Sequence, residues 1–326
     1  MNRLNEFRKY YNHSIHPELR RLERQRIRLN LLFIGSAILI PIVIVLEIWI
    51  NNLLITLLLA IPLFLYATWI YMRMKKFVRD YKPRVINRIL DFIQKEVNYQ
   101  DLYYNPTGKI AMETFLESRL FDPDIAIYQG EDFVSGKVGE LDFKLCELNV
   151  EQNKPISGGT QKVFKGIFVS AVFNFDLEGA VLVWPRKYRQ FFSKPIRTAV
   201  SYGAQNEDWE ILYEPFRNTF VTYATPNTHV AGVLPITMQE AIIQYLAHIK
   251  RRDLLRQPAD RPKQKPQVRA FYLSILSNHI FVGLTEEKDM LEPNIFRSNL
   301  SFDLILEYYE QIQLMLKIIE DFDQMH

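Results

Sequence analysis

Residues 31–71 read LLFIGSAILIPIVIVLEIWINNLLITLLLAIPLFLYATWIY, which is two long apolar runs joined by Asn51-Asn52. A helix of 20 residues is about 30 Å long, and this is the thickness of the hydrocarbon core of a bilayer. The runs at 31–50 and 53–71 both come close to that length. The stretch therefore predicts a transmembrane helical hairpin at 31–71.

The residues that flank the hairpin predict its orientation. Five arginines lie between positions 20 and 28, and seven lysines and arginines lie between positions 73 and 88. The connection at 51–52 carries no basic residue. Since basic residues beside membrane spans stay in the cytoplasm, we expect a multi-pass protein with both termini cytoplasmic. We expect no cleaved signal peptide, because about 30 mostly polar residues precede the first run.

The net charge is divided at the membrane. Residues 1–88 carry a net charge of +10 and residues 89–326 carry −7, which together give the overall +3. The basic part is suited to anionic membrane lipids, so we expect lipids as a partner. The acidic remainder argues against nucleic acid as a partner. The single cysteine, Cys146, excludes an internal disulfide and is typical of a reducing compartment.

Two prolines and one charged residue lie inside the hairpin. Pro41 and Pro62 fall at the same depth when the two runs are folded back on each other. They are interpreted as ordinary hairpin packing or as a gate at the bilayer midplane. Glu47 is interpreted as a solvated interfacial carboxylate beside Trp49 or as part of a proton relay.

Beyond the hairpin, the sequence predicts an α+β fold with a mostly antiparallel sheet and flanking helices, because strand pairs alternate irregularly with helical stretches. We divide the chain into a basic N-terminal helical segment at 1–30, the hairpin at 31–71, a helical connector at 72–122 and a cytosolic domain at 123–326. The helix after the second span is expected to end near Lys82-Pro83, since the residue before a proline disfavours helical geometry.

Strand pairing is predicted from alternation and turn residues. Leu141, Phe143 and Leu145 alternate with polar residues, and the phase slips before Leu148 and Val150, which predicts a bulge in this strand. A capping box at 237–240 predicts a helix to about residue 250. Three strand pairs are expected: 163–173 with 180–184, 220–224 with 230–234, and 268–276 with 280–284.

A basic segment at 250–269 interrupts the domain. It carries eight basic residues, Asp253, Asp260 and three prolines, a composition typical of an extended, mobile loop. Its charge contrasts with that of the acidic domain. We therefore predict a contact surface for anionic lipid or for an acidic partner, formed by Lys250, Arg251, Arg252, Lys263 and Lys265.

The residue types that carry chemistry form no recognisable motif. The six histidines include no His-Glu-x-x-His pair, and one cysteine allows no Cys-x-x-Cys, so we predict no metal site, no catalytic set and no cofactor. Cys146 is interpreted as a small core residue or as a nucleophile. Glu131-Asp132 and Glu207-Asp208 should not converge, because adjacent residues on a strand point to opposite faces. Trp184, Tyr202 and Trp209 are interpreted as core residues or as the lining of a partner groove.

The motif FKGIF at 164–168 resembles one known from a bacterial family of two-span membrane proteins, catalogued only as a domain of unknown function. The strand at 139–147, the passage at 220–245, the hairpin at 271–284 and the motif LEPNIF at 291–296 extend the resemblance over roughly residues 30–320. The resemblance implies a bacterial inner membrane location and this architecture. It implies no catalytic residues.

These observations favour a membrane-anchored, non-catalytic interaction or scaffold module at the inner membrane, which binds an unidentified protein partner or itself. Two alternatives remain open. One is an enzyme that acts on a membrane-proximal or lipid substrate. The other is a subunit of an oligomeric channel or transporter that uses Pro41, Pro62 and Glu47.

Overall fold

The computed structural model describes residues 2–50, 53–154, 158–173, 179–187, 193–255, 269–287 and 291–323. The chain divides into two compact units. The first comprises Met1–Ile93 and Met290–Tyr309, and the second comprises Gln94–Asp289 and Glu310–His326. Long apolar helices are followed by an antiparallel sheet with flanking helices, which confirms the predicted α+β class.

Nine α-helices lie in the described ranges. They are α1 Asn2–Tyr10, α2 His16–Ile50, α3 Leu53–Ile93, α4 Met112–Glu117, α5 Ser193–Ser201, α6 Glu214–Thr219, α7 Val230–Val233, α8 Ile236–Leu255 and α9 Phe302–Asp323. A π-helical segment, Tyr11–Ile15, joins α1 to α2 with helical geometry at both of its ends. Helix α9 begins in the first unit and ends in the second.

The first unit is a helical stalk that continues into the apolar runs. We call residues 2–30 and 72–93 the stalk. Its buried side chains recur every three or four residues from α1 through the π-helical segment into α2, close to the helical period: Phe7, Tyr11, Ile15, Leu19 and Leu22. The ring of Phe7 stacks on Tyr309 of α9 at 4.0 Å and meets Phe92 of α3 edge-on at 5.2 Å.

The predicted helix end near Lys82-Pro83 is wrong, because α3 continues to Ile93 with Pro83 inside it. A proline inside a helix removes one hydrogen bond and clashes with the preceding turn. After Pro83, however, an apolar stripe is buried in the stalk: Val85, Ile86, Ile89, Leu90 and Ile93. Tertiary packing of this stripe outweighs the local cost of the proline.

Two helices are long and apolar enough to cross a membrane. The described stretches that qualify are Arg3–Leu46 and Leu57–Ile93, and in each apolar window only 6% of the residues are buried. Exposed large side chains therefore line both helices, as Leu31, Ile38, Leu58 and Phe64 illustrate.

The second unit contains one antiparallel sheet of nine strands within the described ranges, in the order β1-β2-β3-β4-β9-β8-β5-β7-β6. The strands are β1 Tyr99–Asn105, β2 Ile125–Val138, β3 Leu141–Asn153, β4 Thr160–Val172, β5 Ala180–Pro185, β6 Gln205–Asn206, β7 Phe220–Ala224, β8 Phe271–Leu276 and β9 His279–Thr285. Strand β1 lies inside the segment predicted as a helical connector.

The apolar residues of β3 change face rather than register. Its pairing with β4 is regular from Asp142 to Val150, so Leu145 faces one side of the sheet and Cys146 the other. Both side chains are buried, so both faces of the sheet are covered at this position. The bulge predicted before Leu148 is therefore wrong. A register shift lies instead on β2, between Glu131 and Val134, directly opposite.

Strand β4 does not form a hairpin with β5, and this corrects a second prediction. The β8–β9 hairpin, which was predicted correctly, lies between them: β4 pairs with β9, and β5 pairs with β8 and β7. The predicted pair of 220–224 with 230–234 is also wrong, because Val230–Val233 is the short helix α7 and not a strand. Sequence separation alone cannot reveal that a distant hairpin inserts between two neighbouring strands.

The core on one face of the sheet is rich in aromatic rings. Phe115 and Phe121 stack on each other at 5.1 Å and contact Phe164 of β4. Trp184 of β5 is fully buried there, and its Nε1 donates to the carbonyl of Leu120 at 2.9 Å. Trp184 is therefore a core residue, whereas Tyr202 and Trp209 are 61% and 72% exposed.

Candidate functional site

The predicted basic contact surface is only partly described. Helix α8 extends to Leu255, so 250–255 is helical and not loop, which corrects the predicted start of the basic segment. Lys250 and Arg251 are exposed on its last turns. Consecutive helical residues point about 100° apart, so these two do not share a face. The side chain of Arg252 and the whole of Lys263 and Lys265 lie outside the described residues.

The predicted features of the hairpin lie on unbroken helices. Pro41 is inside α2 and Pro62 is inside α3, and both are exposed. The backbone of Glu47 is helical, and its side chain lies outside the described residues. The two prolines are thus compatible with a helical hairpin, and nothing in their described surroundings adds a polar partner that a gate would use.

Cys146 is a core residue and not an accessible thiol. It is fully buried among apolar and aromatic side chains, and the backbone N–H of Ile110 donates to its Sγ at 3.3 Å. Burial raises the pKa of the Cys146 thiol to about 12, which keeps it protonated at neutral pH. The interpretation as a small core residue is therefore supported, and the nucleophile needed by the enzyme alternative is not found here.

Three carboxylates converge at the bulge in β2, which sequence reasoning missed. Glu131 pairs with Glu147 of β3, so both point to the same face, and Asp132 adopts a left-handed φ of 56° in the bulge. As a result, one carboxylate oxygen from each residue lies within 4.8 Å of the others. The argument that adjacent residues diverge failed because it assumes a regular pleat. The phase slip at Leu148 was the available signal of irregularity.

The cluster is largely withdrawn from water. Asp132 and Glu147 are 3% and 7% exposed, and the hydroxyl of Tyr104 donates to Oδ1 of Asp132 at 2.5 Å. Each of the three carboxylates also has a further interaction within the protein. Like charges at this separation repel strongly at low dielectric, and oxygen-rich clusters of this type suit hard cations such as Ca²⁺. The structure thus identifies the residues that could hold such an ion.

Charged residues continue from this cluster across the same face of the sheet. Lys165 of β4 lies on that face beside Asn149, and its carbonyl accepts the N–H of Glu286 at 2.9 Å. Glu286 in turn pairs with Arg269 at 2.5 Å, with both side chains less than 8% exposed. Buried ion pairs contribute little net stability but are costly to break. The Arg269–Glu286 ion pair and the hydrogen bond from Glu286 to Lys165 therefore hold the ends of β4, β8 and β9 in one arrangement.

A second polar arrangement lies in the first unit, in residues 291–300, which we call the stalk loop. Asn294 and Asn299 close it: the Asn299 side chain accepts the N–H of Asn294 at 2.8 Å and donates to its carbonyl at 3.0 Å. The Asn294 side chain accepts the N–H groups of Phe296 and Arg297 at 2.8 and 3.0 Å. These bonds preform a tight loop with Phe296 and Arg297 at its tip.

Charged side chains of α2 and α3 hold the stalk loop. Arg26, only 7% exposed, donates to the carbonyl of Ile295 at 2.7 Å and to both oxygens of Glu23 at 2.7 and 3.0 Å. Glu23 also accepts the N–H of Asn299 at 3.3 Å. From α3, Lys82 pairs with Glu292 at 2.6 Å. Charge-assisted bonds of this kind are about twice as strong as neutral ones.

Comparison with known proteins gives a family match but no activity. Residues 162–255 and 262–324 match the model of a family described as protein of unknown function (DUF3137). The expected resemblance to a domain of unknown function is confirmed over this part of the chain, which includes the FKGIF strand and the stalk loop. No curated protein and no solved structure match the chain.

Proposed function

We propose that this chain is a membrane-tethered interaction module. Helices α2 and α3 span a bacterial inner membrane as a hairpin, and both termini lie in the cytoplasm. The second unit then works at the cytoplasmic face, where it docks a protein partner or a second copy of itself. The proposed partner is a protein, and the hairpin anchors the chain in the lipid bilayer.

The exposed apolar surface of α2 and α3 is the observation that carries the proposal. A core helix of a soluble protein buries most of its apolar residues, whereas 6% of each window is buried here. Among the described residues of 31–71, 17 leucine, isoleucine and valine side chains are exposed. Such a surface is strongly unfavourable in water and favourable in hydrocarbon. A cleaved leader does not account for two such helices that fold back on each other through the stalk.

Aromatic residues beside basic ones support the position of the membrane surface. On α3, the guanidinium of Arg73 lies 5.2 Å from the ring of Trp69, and Nζ of Lys75 lies 4.8 Å from the ring of Tyr71. Aromatic belts with flanking Lys and Arg are typical of the interface on the cytoplasmic side. The remaining stalk residues, on this interpretation, lie in the cytoplasm.

Exposed apolar side chains in the second unit support a protein-binding role. Trp209 and Leu212 are 72% and 69% exposed and lie three residues apart, next to the acidic residues Asp208 and Glu210. Tryptophan is enriched at the centres of protein interfaces, and isolated soluble domains rarely expose it to this extent. The surface around Trp209 thus suits a partner with an apolar pocket.

Photocrosslinking in native membranes tests the interaction. A photoreactive amino acid at Trp209 of the full-length chain should give a discrete protein adduct after irradiation. The same amino acid at Val97, which is 87% exposed in the same unit, is the matched control and should give none. An adduct of twice the chain mass would identify self-association. If Trp209 gives no protein adduct under conditions that crosslink a known membrane complex, the proposed role is rejected.

The basic segment is tested by charge removal in the full-length chain. If this segment contacts lipid headgroups or an acidic partner, removal of its charge should reduce the adduct yield from a crosslinker at Leu255. The residues replaced with Ser are Lys250, Arg251, Arg252, Lys263 and Lys265. A matched variant removes the same charge from five exposed lysines elsewhere in the unit, Lys95, Lys144, Lys154, Lys162 and Lys194. Equal yields from both variants would reject the segment as a contact surface.

A further inference from the structure

We propose that the stalk loop is a third membrane contact, in which Phe296 inserts into the headgroup region beside the first span. The inference rests on the proposed function, because it needs α2 and α3 to cross the bilayer. It concerns a residue 225 positions after the end of the second apolar run, which no hydropathy pattern marks. The occupant of this exposed aromatic site is lipid.

The position of Phe296 along α2 is the first argument. Its ring meets the ring of Phe33 edge-on, with centroids 5.8 Å apart. Phe33 is the third residue of the apolar run, about 10 Å further along the helix axis than Arg26, which binds the backbone of the stalk loop. The loop therefore places an aromatic side chain at the level where the first span begins.

The exposure of Phe296 is the second argument. Its side chain is 62% exposed although it lies at the tip of a loop that Asn294 and Asn299 close by four hydrogen bonds. In water, a phenylalanine side chain that is 62% exposed contributes little to the stability of such a loop. In the interfacial region the same ring contributes favourable burial at little cost in conformational entropy.

The surrounding residues favour lipid over another occupant. Phe296 is followed by Arg297, also exposed, which suits the phosphate of a headgroup. On α3, the apolar run ends in an aromatic group of the same kind, in which the rings of Tyr66 and Trp69 are stacked at 6.1 Å. Phe33 and Phe296 thus extend an interfacial belt around the hairpin, and continuity with the spans identifies the bilayer as the occupant.

Site-directed spin labelling of the full-length chain tests the inference. The chain is reconstituted in vesicles of phosphatidylethanolamine and phosphatidylglycerol. Four variants each carry one introduced cysteine with a nitroxide label, at Leu39, Phe296, Arg297 or Leu304. The unsubstituted chain is the blank, because its only cysteine, Cys146, is buried. The measured quantity is the ratio of nitroxide accessibility to oxygen, which concentrates in lipid, over accessibility to a water-soluble nickel chelate.

The labels at Leu39 and Leu304 bracket the expected result. Leu39 lies within the first apolar run, and Leu304, 49% exposed, follows Phe302, whose ring contacts Tyr11 about 30 Å below Phe33 along the helix. We expect a high ratio at Leu39, a low ratio at Leu304 and intermediate ratios at Phe296 and Arg297. Arg297 gives a second measurement should substitution of Phe296 disturb the loop.

Each other outcome is decisive. A high ratio at Leu39 with aqueous ratios at Phe296 and Arg297 overturns the membrane contact and leaves the spans in place. Labels at both loop positions that neither oxygen nor chelate can reach indicate burial against protein and also overturn the lipid assignment. An aqueous ratio at Leu39 overturns the proposed function, and the inference fails with it.

Discussion

At the scale of single residues, Cys146 shows how its neighbours decide the chemistry of a side chain. We predict that a maleimide will modify native Cys146 at pH 8 roughly a thousandfold more slowly than an exposed cysteine, because burial raises its thiol pKa to about 12. The control is Val97→Cys, at a position 87% exposed. Rapid, stoichiometric labelling of Cys146 without denaturant would contradict the core assignment and revive the nucleophile.

Gly166, in the middle of the FKGIF motif, has a steric reason to be glycine. Its φ is 148°, and a Cβ there would lie 2.6 Å from the N of Glu286 and 2.8 Å from Cα of Thr285. We predict that Gly166→Ala destabilises the second unit by about 2 kcal/mol or more, which lowers Tm by roughly 4 to 8 °C. Gly232→Ala is the control, because a Cβ at that position would have no atom of the described residues within 4 Å. Equal melting of both variants would refute this steric argument.

The acidic cluster marks the limit of residue-by-residue prediction. Glu131 and Asp132 were expected to diverge, and on a regular strand they would. The extra residue in β2 and the left-handed backbone of Asp132 bring both beside Glu147. A bulge depends on how two strands pair. The sequence of β3 could therefore signal an irregularity near Leu148, but it could not show that the bulge lies in β2.

At the scale of elements, the stalk loop depends on the ionised carboxylate of Glu23. Burial raises its pKa, but hydrogen bonds from Arg26 and from the N–H of Asn299 outweigh this, so the pKa is lowered below its ordinary 4.5. A carboxylate whose pKa is lower in the folded chain than in the unfolded chain stabilises the fold at pH values above the unfolded pKa. This contribution is lost as the pH falls through the folded pKa. The loop should therefore be held at neutral pH and loosen in acid.

We predict that Glu23→Gln increases hydrogen exchange of the amides in 291–300 by at least about tenfold at pH 7, since a charged hydrogen bond is worth roughly 1.5 kcal/mol or more. In the wild type, the same rise should appear below pH 4.5 after correction for intrinsic exchange. Glu18→Gln is the control, because Glu18 pairs only loosely with Arg84, at 3.5 Å and partly exposed. Unchanged exchange of the loop in Glu23→Gln would contradict this role of the carboxylate.

Elements were predictable where the sequence signal was local. The long apolar helices and the β8–β9 hairpin follow from apolar length and alternation. The capping box located α8 only approximately, because the helix begins at Ile236 and contains Thr237, the residue that the box would place at the N-cap. The failures are tertiary. Pro83 is tolerated because the stalk packs around it, Val230–Val233 is helical despite β-branched residues, and β4 is separated from β5 by a hairpin from about a hundred residues away.

At the scale of the whole molecule, charge and hydropathy describe two parts with different surroundings. A basic excess lies on the N-terminal helices and an acidic excess lies in the rest, so the overall charge of +3 describes neither. Composition could predict this division, because it is a sum over many residues, and the order of strand-like and helical stretches could predict the fold class. It could not predict Phe296 as a membrane contact, since only the folded loop brings that residue beside Phe33.

Reporter fusions at two positions test whether α2 and α3 cross the membrane as a hairpin with both termini inside the cell. Alkaline phosphatase is active only outside the cytoplasm, and green fluorescent protein exported through the general secretion route does not fluoresce. We predict active phosphatase and dark fluorescent protein after a truncation at Asn51, and the reverse after His326. Active phosphatase after His326, or none after Asn51, would contradict the two-span topology.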